Sequence, residues 1–140
     1  MTENILLPTE GSRHAKQAAE FAASLALPFR AKVTVLHAYM PVPAHLGEPH
    51  FSRAFYETLD EAKALVEATA GRLHDLGVAE VETEVIEGPA ANAGSGVAEA
   101  RKPDIIVMGA RGLSTRQGLL MGRVSILVTQ CVECPVLVVK

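Results

Sequence analysis

Residues 104 to 139 confine the fold more than any other part of the chain. An apolar run from Asp104 to Met108 ends at Gly109, glycines follow at 112, 118 and 122, and from Val124 the apolar residues return at helical spacing through Leu127, Val128 and Cys131. That pattern is a strand, a glycine-bearing loop and a helix N-terminus, closed by a final apolar strand from Val136 to Val139. A junction of this kind leaves the first backbone N–H groups of the helix without intrahelical partners and adds the positive end of the helix dipole, so it favours an anion. Three arginines (111, 116 and 123) and no acid lie between Gly109 and Ser125, in a chain of formal net charge −3.

The remaining segments supply the sheet that such a junction needs. Ile5 to Thr9, bounded by Pro8 and Gly11, reads as a buried first strand. Ser12 is placed to cap a helix whose Ala15, Ala18, Ala19, Ala22 and Leu25 or Ala26 form one face, with Pro28 as its stop. Lys32 to Tyr39 is a second strand, which Pro41 and Pro43 cannot extend. A long loop over 41 to 51 carries His45 and His50, and the sequence leaves open whether it is a functional flap or a plain connection. From Ser52 to Leu76 the residues Phe55, Leu59, Ala62, Val66, Ala70, Leu73 and Leu76 recur in steps of three or four, with Gly77 placed to end the helix. A strict heptad continued from Val66 would put Thr69 rather than Ala70 on the seam, which favours a sheet-covering helix over a coiled coil. Val78 to Glu87 alternates apolar residues with glutamate and is predicted to be an edge strand; a weaker helix, interrupted by Gly94 and Gly96, follows through Ala93, Val97 and Ala100.

Strands therefore alternate with helices, and right-handed crossovers make this a doubly wound α/β fold with a five-stranded parallel sheet and helices on both faces. Its 140 residues suit a single domain, and 49% hydrophobic content with only 4% aromatics suits an aliphatic core covered on both sides. Pattern alone allows strand order 2-1-3-4-5 or 3-2-1-4-5.

The glycine spacing, Gly109-x-x-Gly112, nine residues, then Gly122, resembles the G-x2-G-x9-G loop of the universal stress protein family, in the branch whose members bind ATP. The segments Asn4 to Ser12, Val33 to Ala38 and Cys134 to Lys140 resemble that family's first, second and last strands, so the likeness covers most of the chain. It implies order 3-2-1-4-5, which places the ligand crevice between strands one and four, outside their carboxyl ends. It also implies that Gly109, Arg111, Gly112, Gly122, Arg123, Val124 and Ser125 hold the phosphates of ATP, bound with Mg2+, and that Met108 and Ala38 flank the base. Pro8, Thr9 and Glu10 line the crevice from strand one, Glu10 standing where the family has an aspartate. One departure stands out. The family has Ser or Thr directly after the last glycine, where this chain has Arg123, and Ser125 fits the next small polar position. A homodimer through the last strand, Val136 to Val139, is implied as well, and it would close an otherwise bare apolar sheet edge.

Other motifs reduce to structure. Cys131 and Cys134 form a C-x-x-C that closes a helix, whereas a thioredoxin-like motif opens one. Histidines 14, 37, 45, 50 and 74 show no metal-ligand spacing, and His37 reads as a strand-end residue near the crevice. The loop has no lysine, so it is no Walker loop, and at most a slow ATPase is expected. Net acidity argues against nucleic acid as a partner. The acidic Met1 to Asn4 start and the lack of a long apolar run predict a cytoplasmic chain without a membrane span. A dimeric interaction protein of the same fold, its nucleotide site spoiled by Arg123, is the competing expectation.

Overall fold

The computed structural model describes residues 2–110 and 121–140. Its elements are β1 (Asn4–Pro8), α1 (Arg13–Phe29), β2 (Lys32–Tyr39), a short 3-10 turn (Ala44–Leu46), α2 (His50–Asp75), β3 (Val81–Glu87), α3 (Ala90–Arg101), β4 (Ile105–Gly109), α4 (Arg123–Cys131) and β5 (Val136–Val139). The five strands are ordered β3-β2-β1-β4-β5, and every neighbouring pair is parallel. Of the two orders that the pattern allows, the second is therefore the one adopted, with β3 and β5 at the edges.

Side-chain alternation along the strands builds two cores. Ile5, Leu7, Val33, Val35 and Val107 face α1 and α2, where they meet Ala18, Ala19, Ala22, Val66 and Leu73. Leu6, Leu36, Ile106 and Met108 face the other way, against Ala91 and Val97 of α3 and Val128 of α4. The predicted alanine stripe of α1 is buried throughout, and its small side chains bring that helix close to β1 and β4.

Three boundaries differ from the sequence reading. Pro28 lies inside α1, and the helix closes beyond it: Arg30 takes the left-handed conformation, Ala31 N–H bonds the Ala26 carbonyl at 3.0 Å and Arg30 N–H bonds that of Leu27 at 3.3 Å. Proline costs one backbone bond in the last turn, and this pair of reversed bonds ends the helix. The helix α2 starts two residues before Ser52, and Gly77 ends it as predicted, with Val78 N–H bonded to Leu73 O at 3.0 Å. That turn holds Val78 in the core, so β3 begins only at Val81. Among the described residues, no helix is long and apolar enough to cross a membrane.

Candidate functional site

Two strand-to-helix turns meet at the carboxyl edge of the sheet, one after β1 and one after β4, because β1 and β4 are neighbours and the chain leaves them for opposite faces. This is the switch point where doubly wound folds bind ligands.

Thr9 anchors the first turn. Its N–H bonds Leu36 O at 2.8 Å, its Oγ1 accepts from Gly11 N–H at 3.3 Å, and its carbonyl lies 2.7 Å from His37 Nδ1. Glu10 is half-buried and its carboxylate accepts from the Ser12 hydroxyl. Ser12 in turn caps α1, with Ala15 N–H bonding its Oγ at 3.2 Å. Gly11 has a positive φ of 83° and lies against Leu65 of α2, where a Cβ would come within 2.6 Å of Cδ1, so no other residue fits without displacing that side chain.

The second turn is built differently. Gly122 occupies the N-cap position of α4 with no side-chain cap, and the first intrahelical bond runs from Ile126 N–H to Gly122 O at 3.2 Å. Arg123, Val124 and Ser125 thus supply the first-turn amides, with the Arg123 and Val124 side chains exposed. Two hydrogen bonds draw the ends of the glycine loop together: Gly122 N–H to Ala110 O, and Ser125 Oγ to Gly109 O at 2.7 Å. Ser125 is buried, so its hydroxyl ties α4 to the end of β4. Arg111 and Gly112 lie outside the described residues.

Of the residues predicted to touch a ligand, Pro8, Thr9, Glu10, Gly109, Gly122, Arg123, Val124 and Ser125 are brought to this edge. Ala38 is half-buried near the end of β2. Met108 is only 4% exposed and its side chain belongs to the core beneath α3 and α4, because it alternates with Val107 along a central strand. Gly109 also has a reason that the loop motif does not reveal. A Cβ there would lie 2.8 Å from the His14 carbonyl carbon and 3.0 Å from Ala15 N, so the start of α1 rests directly on the end of β4. The His37 bond to Thr9 went unread in the sequence; its one signal is a polar residue directly after Leu36, where the β1 pairing runs out.

The donor set suits an anion. It comprises three consecutive amides at a helix start that no side chain caps among the described residues, and the positive dipole end, with the exposed Arg123 on the first turn and one carboxylate, Glu10, in the opposite turn. A nucleotide would match this pairing, since phosphates accept from amides and ribose hydroxyls can donate to a carboxylate. No group of three or more His, Cys, Asp or Glu converges as a metal site among the described residues. Cys131 and Cys134 lie at the far end of α4, lining a cleft with Ser95, Glu99 and Lys102, and burial pushes the Cys134 thiol pKa up, against thiolate chemistry.

Comparison with known proteins gives the same direction. The family model described as the universal stress protein family matches residues 1–140. A universal stress protein of Thermus aquaticus, from the region 3′ of a QAH/OAS sulfhydrylase, is 41% identical over 140 residues, covering 100% of both chains. The solved structure of hypothetical protein MJ0577 superposes with a TM-score of 0.88 at 28% identity, covering 100% of this chain and 96% of that one. A universal stress protein in complex with cAMP superposes at 0.77 with 25% identity, covering 99% and 97%.

Proposed function

The chain belongs to the universal stress protein family, and we propose that it binds ATP with Mg2+ in the crevice between β1 and β4, working by nucleotide-dependent association or signalling rather than rapid turnover. The observation that carries this reading is the α4 N-terminus: Gly122 has no cap, and Gly109, Ala110, Gly122 and Ser125 draw the loop ends together at the switch point. A related protein in complex with cAMP supports an adenine nucleotide. Arg123 stands where the family has a hydroxyl. The backbone N–H at that position survives the change, and an exposed guanidinium at the first turn adds attraction for phosphates. The Mg2+ would neutralise phosphate charge and travel with the nucleotide; the chain's own part is to hold the phosphates on amides and the nucleoside beside Glu10.

Denaturing the purified protein and identifying released nucleotide by mass spectrometry tests the proposal. Failure to bind ATP at millimolar concentration with Mg2+ would refute it. The competing reading, an interaction protein whose site Arg123 has closed, makes the opposite prediction for Arg123→Ser, namely gain of ATP binding. Steady phosphate release abolished by Gly122→Val would be the mark of a slow ATPase.

We also infer a cytoplasmic homodimer through β5. Val136, Leu137 and Val138 are only half-buried on an edge strand, and Val124 and Ile126 of the neighbouring α4 are 38% and 43% exposed, so pairing with a second copy would cover apolar surface and free strand edge together. Sedimentation of Leu137→Lys against the unchanged protein tests it, with a monomer expected for the variant.

A further inference from the structure

We propose that His37 is a positioning residue for the nucleotide crevice, setting the turn that presents Glu10. The proposal rests on the adenine-nucleotide reading above and adds to it a residue outside the family motif.

A carbonyl oxygen can only accept, so at 2.7 Å from Thr9 O the His37 Nδ1 carries the proton. The neutral ring is therefore the Nδ1–H tautomer, and this bond persists if the ring gains a second proton. Residue 37 lies one step past the last β1–β2 pair, Pro8 with Leu36, where the backbone ladder gives out. The imidazole takes over there, and it completes the fixing of Thr9, whose N–H is held by Leu36 and whose hydroxyl is held by Gly11. Thr9 is 6% exposed, so its carbonyl is poorly placed to find water instead.

The Thr9 carbonyl belongs to the peptide plane that joins Thr9 to Glu10. Fixing that plane fixes the direction in which Glu10 leaves the strand. Beyond it, Glu10 meets the Ser12 hydroxyl and Gly11 rests on Leu65, so the turn is held at its far end by α1 and α2 and at its near end by His37. With the near end released, Ser12 still caps α1, but the carboxylate loses its fixed aim at the nucleoside.

Side-chain isosteres separate this role from simple bulk. The amide nitrogen of Asn stands the same number of bonds from the backbone as Nδ1, whereas that of Gln corresponds to Nε2. In calorimetric titration with ATP and Mg2+, His37→Asn is expected to stay within about threefold of the unchanged protein, while His37→Ala and His37→Gln weaken binding about five- to tenfold, the worth of one hydrogen bond. Combining His37→Ala with Glu10→Gln should cost little more than Glu10→Gln alone, because His37 acts through that carboxylate. If the unchanged protein binds no ATP, the nucleotide reading fails and this role with it. If it binds but Gln serves as well as Asn, or the two losses simply add, the nucleotide reading stands and the role of His37 is overturned.

Discussion

The two turns at the carboxyl edge start helices on opposite faces of the sheet, and they meet the same polar demand in opposite ways. After β1, Ser12 caps α1 with its own hydroxyl, Glu10 bonds that hydroxyl, and His37 secures Thr9. After β4, Gly122 brings no side chain, and among the described residues no side chain caps the first amides of α4. The first turn spends its polar groups on the protein itself; the second offers the backbone amides to which the phosphates of the proposed nucleotide would bind.

The contrast can be broken most severely where the turns touch. Gly109→Ala drives a Cβ to 2.8 Å from the His14 backbone, and a loss of about 2–3 kcal/mol in denaturant unfolding is expected because neither backbone can yield. A loss below about 0.5 kcal/mol would show that α1 does not rest on β4. Next, Arg123→Glu should weaken ATP binding about tenfold, yet leave stability unchanged or raise it by about 0.3–1 kcal/mol, because an acid suits a helix start while it repels phosphate. Ser12→Ala should cost about 1 kcal/mol of stability through the lost cap and weaken ATP binding only about three- to fivefold, less than Arg123→Glu, because the Glu10 carboxylate loses its hydroxyl partner while the α4 amides are untouched. Parallel unfolding and titration of these two variants would settle whether the turns divide the labour.

The smallest effect is a control at the opposite end of the sheet. The backbone amides of Asn4 and Glu3 bond the Asp104 carboxylate at 2.9 and 2.7 Å and hold its pKa below the usual value. A depressed folded pKa gives stability that is present above the unfolded pKa, near ~3.9, and is lost as pH falls through the folded value. Asp104→Asn should therefore flatten the acid limb of the stability curve between about pH 5 and pH 2 and leave ATP binding untouched.

Much of this was legible in the chain. Periodicity alone yields the alternation of strands and helices, because most elements carry a clear pattern and turn residues bound them, and Gly77 ends α2 as its position suggests. Strand order is not a local property: pattern permits two arrangements, and the resemblance carried by Gly109, Gly112 and Gly122 selects the observed one. What escaped reading depends on contacts between distant residues. Pro28 looks like a stop, but the αL conformation of Arg30 performs the closure. Met108 is read from its place at the strand end, and only the pleat shows that its side chain also packs in the core beneath α3 and α4. Gly109 reads as a loop glycine, and only the approach of His14, on another element, reveals its second duty. At the site the sequence indicates which residues gather at the edge, whereas the ties among Thr9, Glu10, Ser12 and His37 emerge only in three dimensions.

The base of the glycine loop has one more consequence. Gly122 N–H bonds Ala110 O, Ala110 N–H bonds Val139 O at 2.7 Å, and His14 Nδ1 lies 3.3 Å from that same Val139 oxygen. Val139 ends the outermost strand, so the loop's mouth and the rim of the sheet are a single residue apart, and the start of α1 is joined to both. A single peptide unit, Ala110, thus joins the start of α4 to the end of an edge strand, so the same hydrogen bonds that close the base of the loop also hold the rim of the sheet in place.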